Sequence, residues 1–187
     1  MRALALALDR VSDALARIAL WGAVLSIIVM VLSAGWQVLA RYLLDTPPPW
    51  TEEVARFMMV WAGLLGAASA FRNHEDPSLF PEMREKTGLM GDCFLVIRNA
   101  AALIFTLPVL WFCLVGLNGQ FGSGYIARTM ARTADTMGVS MAVFSVAIPI
   151  GFALIGLFSI AELLLHFCVR RVTASRSHPA KPLDRLQ

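Results

Sequence analysis

A group of charged side chains is the part of this 187-residue chain whose residue types could do chemistry. Glu52 and Glu53 open one apolar segment, Arg56 follows within a helical turn, and Arg41 closes the preceding apolar segment. Because residues three and four apart share a helix face, Arg56 is expected to meet both glutamates. Paired carboxylates can transfer protons or hold a cation, but no nucleophile, metal-ligand set or phosphate-binding glycine loop accompanies them. We interpret the group, with the neighbouring Trp50, as a structural ion-pair cluster or a docking surface for a partner.

The histidines and cysteines are not spaced as ligands. A haem held between membrane helices needs axial histidines that face one another within the bundle. Here His74, His166 and His178 lie near or beyond the ends of apolar segments. The three cysteines show no metal-binding spacing and are interpreted as small buried hydrophobic residues. We therefore expect no catalytic residue, no cofactor and no metal site.

Four long apolar segments must position the charged group. They cover residues 18–40, 54–71, 99–117 and 137–165, and none carries an ionisable side chain at its centre. Segments of this length and hydropathy are typical of membrane-spanning helices, and the mean hydropathy of the chain is +0.67. The predicted fold class is an all-α membrane protein, with one four-helix domain over residues 1–187. Residues 170–187 form a basic tail of that domain.

The distribution of basic residues predicts the topology. A net charge of +3 and a pI near 9.1 could suit a nucleic-acid-binding protein, but the charges are sorted by position. On one side lie only four of the 16 lysines and arginines, namely Arg41, Arg56, Arg128 and Arg132. The others precede the first span, fill the connection 72–98 or follow the fourth span. The positive-inside rule places both termini in the cytoplasm, where the tail would contact lipid headgroups rather than nucleic acid.

The first residues predict an additional element. The apolar side chains of residues 3–16 recur on one helical face, with Asp9, Arg10, Asp13 and Arg17 on the opposite face. This pattern predicts an N-terminal amphipathic helix that lies in the cytoplasmic interface before the first span begins. The alternative is that these residues extend the first span into the cytoplasm.

Packing features of the spans can also be predicted. Small residues on the second span form a stripe made of Gly63, Gly66, Ala67 and Ala70. Such a stripe allows a second helix, from this chain or from another, to approach closely. Prolines within the third and fourth spans, Pro108 and Pro149, are candidate kink positions.

The segment that joins the first two spans carries a family resemblance. Its features are Arg41-Tyr42, a proline-containing turn, Trp50-Thr51-Glu52-Glu53-Val54-Ala55-Arg56, Trp61, Gly66-Ala67-Ala68, and Arg72 with His74 at the cytoplasmic end. With them, the chain resembles the DctQ-like small membrane subunit, or Q subunit, of tripartite ATP-independent periplasmic (TRAP) transporters. The sequence Ile148-Pro149-Ile150-Gly151-Phe152 is similar to a proline–glycine step of that family.

The resemblance implies a function without catalysis. Such a subunit braces a large TRAP membrane subunit, which carries the substrate and sodium sites, in a bacterial inner membrane. An extracytoplasmic substrate-binding protein delivers an organic anion, often a carboxylate. Two alternatives stay open: an autonomous small four-helix transporter, or a membrane anchor of another complex. Small exporters of the first kind rely on a carboxylate in the first span, and residues 18–40 contain none.

Overall fold

The computed structural model describes residues 2–75, 89–116, 124–134, 136, 138 and 140–176, with side chains from 6 to 168 apart from residue 89. Six helices form in this part of the chain. They are α1 (Arg2–Leu43), α2 (Trp50–Asn73), α3 (Leu89–Leu114), α4 (Tyr125–Met130), α5 (Ala142–Ser145) and α6 (Ala147–Arg176). The described residues contain no β-strand beyond a single bridge between Thr133 and Ser140.

The all-helical fold with four candidate membrane spans is confirmed. The segments that are long and apolar enough to cross a membrane are Leu6–Leu43, Trp50–Asn73, Met90–Leu114 and Ala142–Cys168. The first three helices begin earlier than the apolar segments suggested, because the residues before those segments, charged ones included, continue the same helices. The fourth begins later, at Ala142 rather than 137.

The N-terminal residues do not form a helix of their own. Residues 2–43 are one continuous helix, so the separate amphipathic helix that the sequence predicted is replaced by the alternative, an extended first span. No glycine or proline occurs before Gly22, and the alanines, leucines and arginines there are strong helix formers. Nothing in the local sequence therefore interrupts the helix.

Small residues at heptad spacing form the buried face of α1. Ser12, Ala19, Ser26, Ser33 and Ala40 follow one another at intervals of seven, and all are buried. This spacing keeps one seam of a helix against a neighbouring helix over its whole length. Small side chains at the seam allow α1 and α2, joined by the short connection 44–49, to pack as a close antiparallel pair.

The stripe predicted on α2 is only partly used within the chain. Gly63 and Ala67 are exposed, and Gly66 and Ala70 are partly buried. The fully buried residues of this helix are instead Thr51 in its first turn and the neighbours Ala68 and Ser69. The open half of the stripe leaves room for a helix that does not belong to this chain.

The last helix, α6, lies at the centre of the bundle. It packs against α1, α2 and α3, whereas the backbone of α3 approaches no other long helix in the described part of the chain. Phe158 of α6 is fully buried and packs with Ala16 of α1 and Ala68 of α2. On its other side, Phe152 lies 5.7 Å from the ring of Phe105 in α3. The helices are therefore ordered with α3 at one edge and the α1–α2 pair at the other.

Pro149 interrupts the fourth span rather than kinking it in its middle. Proline has no N–H to donate to the carbonyl four residues earlier, which here is that of Ser145. The helix breaks at that position: α5 ends at Ser145 and α6 begins at Ala147. In contrast, Pro108 lies inside the continuous helix α3. The short α5 is fixed by a stacked contact of 3.8 Å between the rings of Phe144 and Phe57 in α2.

Candidate functional site

Charged and polar contacts collect at the two ends of the bundle. We call the end where α1 begins and α6 finishes the terminal end, and the opposite end, with the connection 44–49 and residues 124–146, the loop end. The sequence predicted the main polar group at the loop end and placed Arg72 and His74 at the terminal end. Both ends hold ion pairs, but they differ in burial.

At the loop end the predicted group separates into three parts. Arg56 pairs with Glu52 across one helical turn, with 2.7 Å between Nη2 and Oε1, and the two side chains are 71% and 64% exposed. Glu53 does not share this contact and instead accepts hydrogen bonds from the backbone N–H and the hydroxyl of Thr136. No hydrogen bond or ion pair joins Arg41 to a residue that the structure describes. The four charges are therefore neighbours without forming one cluster.

The contact between Glu53 and Thr136 ties the start of α2 to the segment that precedes α5. A second contact fixes the α1–α2 connection. The hydroxyl of Ser33 donates to the carbonyl of Thr51 at 3.1 Å, and the hydroxyl of Thr51 donates to the carbonyl of Pro48 at 2.7 Å. Beside these contacts Trp50 stays exposed. The loop end thus presents an aromatic ring and an exposed ion pair on a fixed backbone, which is an arrangement suited to docking.

At the terminal end Arg72 joins α2 to α1. Its Nη2 atom donates to carboxylate oxygens of both Asp9 and Asp13, and its Nε atom donates to Asp13 at 3.0 Å. The Arg72 side chain is only 13% exposed. A planar guanidinium holds its N–H donors in a fixed fork that fits two carboxylates in a defined geometry, which the ammonium group of a lysine does not provide. The charged face of the N-terminal segment is therefore the partner of Arg72.

Arg98 makes the corresponding link between α3 and its neighbours. Its Nη1 lies 3.3 Å from Oε2 of Glu162 in α6 and 3.1 Å from Nδ1 of His74. Its Nη2 donates to the carbonyl of Phe71 at 2.9 Å, and the guanidinium carbon lies 4.2 Å from the centre of the Phe71 ring. One side chain thus connects α3, α6 and the end of α2.

A second contact between α3 and α6 lies one turn closer to the helix ends. Nε2 of His166 is 3.3 Å from Oδ1 of Asp92. Glu162 and His166 are four residues apart in α6 and so share a helix face, and the structure directs both toward α3. Their partners, Asp92 and Arg98, were missed. The sequence did contain a clue to this pairing, because residues of opposite charge occur at similar distances from the ends of the third and fourth spans.

The middle of the bundle has no charged site. Residues 18–40 of α1, 57–71 of α2, 99–114 of α3 and 142–161 of α5 and α6 contain no Asp, Glu, Lys or Arg. In the described part of the chain, no group of three or more His, Cys, Asp or Glu side chains could hold a metal ion. The charged contacts of the described residues therefore lie outside the central turns of the four spans.

Comparison with known proteins identifies the family. The family model described as "Tripartite ATP-independent periplasmic transporters, DctQ component" matches residues 30–169. A relative is the sialic acid TRAP transporter small permease protein SiaQ of Vibrio cholerae, which is 25% identical over 119 residues. That match covers 62% of this chain and 62% of the relative's length. With the family model matching most of its length, this four-span chain belongs to the DctQ components of the tripartite ATP-independent periplasmic transporters.

Proposed function

We propose that this chain is a scaffold subunit that braces a large TRAP membrane subunit during uptake of an organic anion. In this proposal the complex lies in a bacterial inner membrane and takes substrate from an extracytoplasmic binding protein. Uptake is coupled to sodium through sites on the large subunit. The chain itself binds no substrate and has no enzymatic activity.

The observation that carries the proposal is the position of the charges. A carrier needs polar or charged groups, or broken helices, near the middle of the membrane to hold its substrate. Here the ion pairs among the described residues lie toward the ends of the candidate membrane spans and none lies in their central turns, and Pro149 breaks the fourth span close to the loop end. These features favour a supporting role over transport by this chain alone.

Two apolar faces support lateral association with a larger membrane protein. On α1, opposite the small-residue seam, the side chains of Ile18, Trp21, Leu25 and Leu32 are exposed. On α2, the exposed Gly63 and Ala67 leave space for close helix contact. Small residues at an open face favour a protein neighbour, because they let two helix backbones approach closely.

The loop end supports contact with the extracytoplasmic binding protein. With the termini in the cytoplasm, as the charge distribution predicts, Trp50 and the ion pair of Glu52 with Arg56 face the outside of the cell. Exposed ion pairs contribute little to stability but influence the rate and orientation of association. Arg41, which also lies at this end, would add positive charge to the same docking surface.

The class of substrate is the least specific part of the proposal. The relative from Vibrio cholerae is named for sialic acid, which is a carboxylate. An organic anion of this kind agrees with the family, and its selection would depend on the other two proteins. We therefore assign no residue of this chain to substrate recognition.

Co-purification and reconstitution test the proposal. A tagged chain, purified from the membranes of its native host, should recover a larger hydrophobic subunit in a fixed ratio. Proteoliposomes holding both subunits should take up sialic acid or another carboxylate when a sodium gradient and the binding protein are present. Vesicles with this chain alone should show no uptake. A stable homo-oligomer that transports unaided would contradict the proposal and favour an autonomous transporter.

A further inference from the structure

A groove at the loop end lies between α3 and the short helix α4. It has a volume of about 260 Å³ and is lined by Phe112, Gly116, Tyr125 and Arg128. Among these four residues only Tyr125 and Arg128 have polar side chains, and none is acidic. These four described residues therefore supply an apolar wall and one permanent positive charge.

The walls of the groove are fixed by a close backbone contact. A Cβ atom added at Gly124 would lie 2.3 Å from the carbonyl oxygen of Cys113, so only glycine permits α4 to start this close to the end of α3. The hydroxyl of Thr129 donates to the carbonyl of Ile126 at 2.8 Å inside α4. These contacts hold Tyr125 and Arg128 beside the last turns of α3.

The guanidinium group of Arg128 is available to bind an anion. Its side chain is exposed, and it makes no hydrogen bond or ion pair with any residue in the described ranges. By comparison, Arg56, Arg72 and Arg98 are each paired with a carboxylate in the same bundle. A guanidinium binds phosphate oxygens through two parallel N–H donors, and the Tyr125 hydroxyl can donate a further hydrogen bond.

The apolar wall continues along α3 toward the centre of the span. Phe112 and Phe105 are seven residues apart on one face of α3, and both rings are exposed, as is Leu114. Trp111 is exposed beside them, and tryptophans near the ends of spans are typical of the headgroup level of a membrane. A ligand held by Arg128 could therefore lay an acyl chain along this face of α3.

We propose that this groove binds an anionic phospholipid, with its phosphate at Arg128 and Tyr125 and an acyl chain against Phe112 and Phe105. The lipid would fill the angle between α4 and the end of α3, whose only long neighbouring helix in the described part of the chain is α6. A soluble phosphate or carboxylate would satisfy Arg128 but would leave the apolar wall uncovered. This site is independent of the scaffold function proposed above.

Native mass spectrometry of the full chain, purified with its partner subunit, tests the proposal. The probes are palmitoyl-oleoyl phosphatidylglycerol and the corresponding phosphatidylcholine, which share acyl chains and differ in net charge. The wild type should retain phosphatidylglycerol preferentially, and Arg128→Gln should weaken that binding roughly tenfold, as expected for the loss of a charge-assisted hydrogen bond. Arg132→Gln is the matched control, since Arg132 is exposed nearby without lining the groove, and it should bind as the wild type does.

Further measurements separate the alternatives. If Arg128→Gln is poorly folded, Tyr125→Phe and Phe112→Ala, which leave the net charge unchanged, should each still lower phosphatidylglycerol retention. Equal retention of both lipids, or equal loss in Arg128→Gln and Arg132→Gln, would overturn the proposal. Displacement of the lipid by millimolar glycerol phosphate would assign the groove to a soluble anion instead. Loss of the binding protein, with lipid retention unchanged, would assign it to protein docking.

Discussion

Arg98 of α3 and Glu162 of α6 form an ion pair at the terminal end, with 3.3 Å between Nη1 and Oε2. The two side chains are only 14% and 16% exposed. Because the backbone of α3 approaches no long helix other than α6 in the described ranges, this pair lies at the main contact between α3 and the other spans. The pair should therefore be sensitive to substitution. At this low exposure, water cannot fully replace the interaction that a charged side chain loses when its partner is neutralised.

Glu162→Gln should therefore destabilise the subunit. The substitution keeps the size of the side chain but replaces the Glu162 carboxylate that faces Arg98 with a neutral amide, and we expect a loss of about 1–3 kcal/mol. The measurement is thermal unfolding of the detergent-purified protein, followed by size-exclusion chromatography after heating. Glu52→Gln is the matched control, because the exposed pair of Glu52 with Arg56 contributes little to stability. Equal melting temperatures for the wild type and Glu162→Gln would show that this pair does not hold α3.

Arg72→Lys tests the link between the N-terminal segment and α2. Lysine keeps the positive charge but cannot contact Asp9 and Asp13 through a planar fork. We expect Arg72→Lys to be less stable than the wild type and Arg72→Met to be less stable still, because both carboxylates then lose their cation. Limited proteolysis of residues 2–17 reports the effect directly, since these residues should become more accessible in the same order. Identical cleavage of all three proteins would contradict the link.

The four spans could be predicted from the sequence because each depends on a local property, the length and hydropathy of one segment. The pairing of charges could not, because it depends on the order of the helices in space. Glu162 and Arg98 are 64 residues apart and meet only because α6 packs between α3 and the α1–α2 pair. The same reason explains why the exposure of Gly63 could not be predicted. The sequence shows the small-residue stripe, but the position of the neighbouring helix determines which residues of the stripe are covered. The continuity of α1 could have been predicted from the sequence, since no glycine or proline precedes Gly22.

Arg56→Ala separates docking from stability. The exposed position of Arg56 predicts a change in unfolding free energy within about 0.5 kcal/mol. If the loop end is a docking surface, the same substitution should lower the association rate with the binding protein, and added salt should reduce the difference from the wild type. Surface plasmon resonance on the reconstituted complex measures both rates. Arg132→Ala is the control for net charge, and an equal effect of the two variants would remove Arg56 from the docking surface.

Gly151→Ala should disturb the packing of α6 on α2. A Cβ atom at position 151 would lie 2.9 Å from Cβ of Leu64, which is closer than two such atoms approach in folded proteins. Either α6 or α2 must move, and we expect a loss of about 1–3 kcal/mol in the isolated subunit, as for other overpacked sites. Leu64→Ala should not relieve this contact, because the conflict is with Cβ itself, which alanine retains, whereas Leu64→Gly should relieve it.

Gly63→Ala is the matched variant on the open face of α2. No atom of the described structure lies within 4 Å of a Cβ added there, so the isolated subunit should melt at the wild-type temperature. If the large membrane subunit covers this face, the extra methyl group should separate the two helices and lower recovery of the large subunit in a pull-down. The pair of variants therefore distinguishes contacts within the chain from contacts with its partner. Wild-type recovery of the large subunit by Gly63→Ala would place the partner on another face, with the exposed side of α1 next to be tested.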